Sequence, residues 1–299
     1  MPNAIVILNS ARSGSSLLAG ILAKSGVFIS DNLMKPNAFN PNGFFEDMAI
    51  RDLNTKVHNL CKVFDPSWNA AFSLPDGWLE SKEINCVVYE ELRDYIKNVY
   101  AVHELFFIKE PSMIRLMPLY DKIFRELNII PYYLHLFRNP VEYMKDYKWA
   151  FPEVPEPNIL WNYVKYNIEA ESFTRGKQRL FITFNQLYDT DKIELLKSIG
   201  NAFDIDYLKF NDAEMLSLAT KNINEFFKPE IRRFKEIDNP INWAAMPNMF
   251  VSQYAVTLYF AILNGRIDNT IFDDIKNKTL RMENKFKMNN LGEKTIQIY

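Results

Sequence analysis

Hydrophobic positions switch between two periods along the chain. Ala4–Leu8 is an unbroken apolar run of strand length that stops at the small polar stretch Asn9-Ser-Ala-Arg-Ser-Gly-Ser-Ser16. Leu17, Leu18, Ile21 and Leu22 then recur at helical spacing, so a strand, a loop and a helix follow one another. The same reading predicts strands over Leu105–Pro111, Pro131–Pro140 and Arg179–Phe184. Between them it predicts helices over 48–64, 79–102, about 113–127, from Pro140 onward, and 157–175. A helix over 185–202 follows the fourth strand. The last third reads as mainly helical, with 249–264 strongly apolar and 268–299 polar before a fading tail. Strands alternating with helices imply crossover units and a mostly parallel sheet. The expected fold is therefore α/β, a P-loop-like parallel sheet flanked by helices with a helical C-terminal extension. One domain over 1–299 is expected, with the α/β core in 1–210 and the extension in 211–299.

The segment Asp31–Asp47 contains two prolines, four asparagines and a glycine, which argue against helix before Phe44. Long loops in compact domains are lids, binding loops or disordered segments. Here Phe44 and Phe45 would anchor the loop and set Glu46 and Asp47 beside a cleft; the plainer reading is an acidic pair capping the next helix.

In parallel sheets ligands bind beyond the carboxyl ends of the strands. Three strands end in residues suited to anions: the Asn9–Ser16 loop, Lys109 and Arg138. A glycine-containing loop before a helix offers unpaired N–H groups and the positive end of the helix dipole. The dipole contributes only about 0.3–1 kcal/mol at exposed sites, so cationic side chains must complete such a site. Against the nucleotide-binding pattern G-x-x-x-x-G-K-[ST], Asn9 stands at the first glycine and Ser15 at the lysine, while Gly14 and Ser16 are kept.

Composition narrows the classes further. Apolar residues make up 48% of the 299 and aromatics 14%, enough for a folded core. A net charge of −2 argues against broad binding to nucleic acid or anionic membrane but permits a local basic pocket. No apolar run reaches the ~20 residues that span a bilayer, and no leader is apparent at the N-terminus, so no stable membrane anchor and a cytoplasmic location are expected. Cys61 and Cys86 fit buried thiols of a reducing compartment. Three histidines, none in a ligand spacing, make a zinc site unexpected.

Taken in order, several segments resemble the sulfotransferase family, whose donor is 3′-phosphoadenosine 5′-phosphosulfate (PAPS). Arg12-Ser-Gly-Ser-Ser16 resembles its 5′-phosphosulfate loop, and Asn40-Pro-Asn-Gly-Phe-Phe-Glu-Asp47 a segment frequent in bacterial members. Lys109-Glu-Pro111 is similar to the Lys-x-Pro strand end, and Leu136-Phe-Arg-Asn-Pro140 to the 3′-phosphate signature. Phe181–Leu187 follows the strand ending Tyr-Glu-Asp-Leu, and Phe227–Arg233 a late basic segment. Three positions depart from that pattern. Asp146 stands where the family carries a serine for the 3′-phosphate, Phe184-Asn185-Gln186 replaces Tyr-Glu-Asp, and Ser112 replaces an arginine. Tyr143, Lys145, Tyr147 or Lys148 could substitute for the missing serine.

The resemblance implies sulfuryl transfer from PAPS, leaving the bisphosphate PAP, to a hydroxyl or amine of a carbohydrate or small molecule, with no metal required. It implies Arg12, Glu46 and Lys109 as catalytic residues, and Arg12, Ser13, Gly14, Ser15, Ser16, Arg138, Asp146, Phe184, Arg232 and Arg233 as donor-binding residues. Glu46 is the first choice of base, with Asp47, His58 and Glu110 as alternatives. The competing functions are a P-loop kinase or NTPase, and a non-catalytic nucleotide-binding protein on the same fold. Aromatic loops around 64–78 and 147–166 suit a sugar ring or an apolar acceptor, or serve packing alone.

Overall fold

The computed structural model describes residues 1–62, 73–229, 232, 234, 250–265 and 269–289. Arg233, part of the aromatic loop around 64–78, and the tail after 289 lie outside the described residues.

Four strands, β1 (Asn3–Leu8), β2 (Leu105–Lys109), β3 (Ile130–Phe137) and β4 (Arg179–Thr183), form one parallel sheet in the order β2-β1-β3-β4. The α/β arrangement with its strand–loop–helix first turn is the one expected from the sequence. Pairing of Ile7 with Lys109 and of Leu8 with His135 sets the carboxyl ends of β1, β2 and β3 along one edge.

β1 lies inside the sheet with both faces covered, which is why it reads as a continuous apolar run. Ile5 and Ile7 pack with Leu18, Leu22, Leu196 and Ile223, contributed by α1 (Ser15–Lys24), α8 (Lys192–Phe203) and α9 (Ala213–Phe226). Ala4, Val6 and Leu8 face the opposite layer, with Ile50 and Val57 of α2 (Met48–Leu60) and Ile123 of α4 (Met117–Glu126). Each large aliphatic residue buried this way contributes roughly 1.5–3 kcal/mol over exposure. Phe137 leads into a third cluster. There α5 (Pro140–Ala150) and α6 (Glu156–Thr174) meet α10 (Phe250–Leu263) and α11 (Asn269–Asn289) through Tyr163, Val256, Tyr259 and Phe272. The strongly apolar stretch read at 249–264 is thus a packed helix.

Three local readings are corrected. The stretch 185–202 is two helices, α7 (Phe184–Asp189) and α8, because Thr190 is extended and Asp191 caps the second through the N–H groups of Ile193 and Glu194. The stretch 79–102 begins with a 3₁₀ turn, and its α-helical turns, α3 (Tyr89–Tyr95), are flanked by wider π-type turns over 84–88 and 96–100. Cys86 lies on the outer face of the first of these and is exposed, while Ile84 and Val88 point inward; Cys61 is half-buried.

The loop before α2 is ordered by a shared carboxylate. Asp47 Oδ1 accepts from the Ala49 and Ile50 N–H groups at 2.8 and 3.3 Å, capping α2. Its Oδ2 accepts from Tyr95 and Tyr100 hydroxyls, each at 2.8 Å. These bonds give Asp47 a structural part. Asp47→Ala would strip a helix cap and leave a buried tyrosine hydroxyl unpaired, lowering stability by about 2–4 kcal/mol in urea unfolding. A change within about 0.5 kcal/mol, as for an ordinary surface carboxylate, would contradict that role.

Candidate functional site

The first loop runs from Leu8 to Ser15 along the carboxyl edge. Ser10 and Ser13 are buried and their hydroxyls lie 3.0 Å apart, and Asn9 Nδ2 donates to Ser10 O at 2.6 Å. Gly14 occupies the cap position with φ +96° and no side-chain cap bond. A Cβ there would meet the Phe184 ring at 2.7 Å, so both conformation and space call for glycine. Gly14 O receives the N–H groups of Leu17 and Leu18. Helix geometry leaves the N–H groups of Ser15 and Ser16 without intrahelical acceptors, at the positive end of α1.

Lys109, at the end of β2, is 3% exposed. Its Nζ donates to Glu46 Oε1 at 2.5 Å, Phe44 O at 3.1 Å and Ser16 Oγ at 3.4 Å. Three acceptors match the three hydrogens of an ammonium group. The Asp31–Asp47 loop is thereby folded onto the start of α1, helped by Met34 N–H to Glu46 O and by Phe45 edge-on to Phe226. Neighbouring Glu110 caps a 3₁₀ turn and accepts from Asn54 Nδ2 at 2.7 Å and Ser112 Oγ at 2.5 Å. Burial first, and the nearby Glu46 charge second, raise its carboxyl above the ordinary range.

The other end holds three arginines. Arg12, at φ +70°, sends its Nε to Asp146 Oδ2 at 2.8 Å. Arg138 donates through Nη1 to Arg12 O at 2.9 Å and lies 3.2 Å from Asp146 Oδ2, while its Nε donates to Glu142 Oε2 at 3.1 Å. Arg232 Nη2 reaches Glu142 Oε1 at 2.7 Å and Asn185 Oδ1 at 2.6 Å. Its Nε donates to Phe234 O at 3.2 Å; its Nη1 makes no hydrogen bond, with Asp189 Oδ1 at 4.0 Å. Two guanidinium groups lie against the Phe184 ring, Arg138 at 4.1 Å and Arg232 at 5.1 Å from its centroid.

One cavity of about 420 Å³ joins the two ends, lined among others by Arg12, Ser16, Glu46, Lys109, Arg138 and Asp146. Every described residue singled out from the sequence as catalytic or donor-binding, except the buried Ser13, lines it. Tyr143 and Tyr147 are fully buried in the core and Lys148 bonds Val154 O, so these candidates for the serine's place are otherwise engaged. Glu142 and Tyr188 were not read from the sequence, and Asn185 only as a departure from Tyr-Glu-Asp. Glu142 lies four residues after Arg138, a spacing that pairs charges on a helix; the other two carry no such local signal. A second cavity of about 850 Å³ adjoins the first, sharing Met34, Asn42, Gly43, Phe226 and Lys228.

No protein-family model matches the chain, and no curated protein matches its sequence. Among solved structures, the chain is similar to the sulfotransferase domain from the curacin biosynthetic pathway, at 13% identity and a TM-score of 0.43, covering 86% of this chain and 97% of that one. It is also similar to the sulfotransferase domain from the Synechococcus PCC 7002 olefin synthase, at 16% identity and a TM-score of 0.48, covering 87% and 94%. Among the described residues no helix is long and apolar enough to cross a membrane, and no cluster of acidic, histidine or cysteine side chains suits a metal ion.

His58, a reserve base, does not line the cavity. It is buried in α2 with both ring nitrogens unbonded, and burial, reinforced by the Arg115 charge, lowers it to about 4. A histidine that stays neutral when folded destabilises the protein as pH falls below its unfolded value near 6.5, levelling off near 4. The full effect is about 3 kcal/mol. Urea unfolding should show stability rising from pH 4 to pH 7, with a flatter profile for His58→Leu. An unchanged slope in the variant would contradict the buried neutral state.

Proposed function

We propose that this chain is a sulfotransferase that moves a sulfuryl group from a nucleoside 5′-phosphosulfate to a hydroxyl or amine. One observation carries the reading. Segments that resemble the family in order along the chain, separated by dozens of residues, line one cavity at one sheet edge.

A PAPS donor meets different surroundings at the two ends of that cavity. Helix-start N–H groups without intrahelical acceptors, Ser16 Oγ and the Lys109 ammonium fit a phosphosulfate. The 3′-phosphate does not fit the arginine end as it stands, because Asp146 already joins Arg12 and Arg138. No step is therefore derived through that phosphate.

The donor supplies the sulfuryl group: a bond from acceptor oxygen or nitrogen to sulfur forms, and the bond from sulfur to the phosphate bridge oxygen breaks with its electron pair. Lys109 and the amides of Ser15 and Ser16 offer positive charge where the bridge oxygen gains negative charge. Lys109 also holds Glu46 Oε1, fixing the carboxylate beside the same point. Glu46 takes the acceptor proton; Glu110, already bonded to Asn54 and Ser112, is the less available carboxyl. The acceptor is a small molecule or carbohydrate, for which Phe39, Phe44 and Phe151 offer aromatic lining. The pairing of Arg12 and Arg138 with Asp146 favours one other reading, a protein that binds a nucleotide without turnover.

The test offers ³⁵S-labelled adenosine 5′-phosphosulfate and PAPS with a panel of sugars, phenols and alkyl alcohols. Label transfer from either donor is expected. Lys109→Ala should lower the rate about 10²–10³-fold, the scale of losing one charge-stabilising donor. Glu46→Gln should lower turnover about 10²–10⁴-fold while donor binding stays near wild type. Near-normal turnover in Glu46→Gln would remove it as the base. Donor binding with no transfer would favour the non-catalytic reading, and magnesium-dependent ATP turnover with no transfer would favour a kinase.

A further inference from the structure

We infer that Glu110 is an uncharged carboxylic acid in the folded protein, and that this keeps the wall holding Lys109 and Glu46 free of net negative charge where an anionic donor binds. The charge state is independent of the donor reading above; its effect on binding rests on that reading.

Five glutamates are buried among the described residues: Glu46, Glu110, Glu142, Glu171 and Glu283. Four of them hold ion pairs, Glu46 with Lys109, Glu142 with Arg138 and Arg232, Glu171 with Arg175 and Arg179, and Glu283 with Lys165. Glu110, 4% exposed, has none among the described residues. A buried carboxylate without a cation takes up a proton instead of keeping its charge. Its neighbours offer no substitute. Lys109, next in the chain, spends its three hydrogens on Glu46, Phe44 O and Ser16 Oγ. Arg115, in the same 3₁₀ turn, lies 3.9 Å from Glu169 Oε2, and His58 and Tyr120 are neutral. Glu46 adds a like charge; burial first and that charge second raise the Glu110 carboxyl above the ordinary range.

The hydrogen-bond chain around Glu110 serves either state. Tyr120 Oη, the Asn54 amide and Glu110 Oε2 are joined by two contacts of 2.7 Å. With the carboxylate charged, Tyr120 donates to Asn54 Oδ1, and Asn54 Nδ2 donates to Glu110. Turning the amide over exchanges its O and N. The same contacts then run from the Glu110 O–H to Asn54 Oδ1, and from Nδ2 to Tyr120 Oη. The Ser112 hydroxyl and N–H go on donating to the same carboxyl in both arrangements. Glu110 lines the cavity beside Lys109 and Glu46. With it uncharged, one cation faces one carboxylate there, and the positive start of α1 draws the anion. Glu46 is then the charged carboxylate left to take the acceptor proton.

Infrared spectroscopy in deuterated water near neutral pH, on protein made with ¹³C-carboxyl-labelled glutamate, reads the charge state. The wild type should show a carboxylic-acid C=O band that shifts with the label, and Glu110→Gln should lack it. Absence of the band in the wild type would overturn the inference, whether or not the variant folds. Calorimetry with adenosine 5′-phosphosulfate reads the consequence. Glu110→Gln exchanges one uncharged group for another, so donor affinity should stay within about threefold of the wild type. Tightening of about tenfold or more, the result of removing a like charge that faces the donor, would show an ionised Glu110 and overturn the inference. A wild type that shows the band but binds no nucleotide would overturn the donor reading and the effect on binding, and would uphold the charge state.

Discussion

A buried lysine organises the site. Taking an ammonium group out of water costs several kcal/mol, and Lys109 at the end of β2 is almost wholly buried. Its three hydrogens must find acceptors, and they find Glu46, the carbonyl of Phe44 and the hydroxyl of Ser16. That requirement draws the Asp31–Asp47 loop over the start of α1 and closes one wall of the cavity. Asp47, one residue on, fixes the loop's exit through four hydrogen bonds. Adjacent acids thus do different work: Glu46 faces the lysine and Asp47 holds the fold.

The far end follows the same rule. Arg12, Arg138 and Arg232 are too buried to stay unpaired, and the chain supplies Asp146 and Glu142 as partners. A cation that must be matched to fold is less available to a ligand. Both ends of the cavity therefore hold their cations in ion pairs, Lys109 with Glu46 and the three arginines with Asp146 and Glu142.

Much of this was legible in the sequence because its signals are local. The apolar run before Asn9, the Gly14 loop and the leucine spacing of α1 state the strand–loop–helix unit outright. Lys109 and Arg138 each close a strand, and parallel pairing brings both to the edge that holds the loop. The break at Thr190–Asp191 was missed because a cap competes with an otherwise helical pattern. The bonds of Asp146 to Arg12, and of Glu142 and Asn185 to Arg232, were not legible, since they join residues across long stretches of chain. The exposure of Cys86 was missed as well, because π-type turns shift which residues of that helical stretch face inward.

The most direct test of the central claim is a crystal structure with adenosine 5′-phosphosulfate, the sulfur located by its anomalous signal. The account predicts sulfuryl oxygens within hydrogen-bonding reach of Lys109 Nζ and the Ser15–Ser16 N–H groups, with the ribose toward Asp146. A sulfur lying between Arg12 and Arg138, with Asp146 displaced, would contradict it.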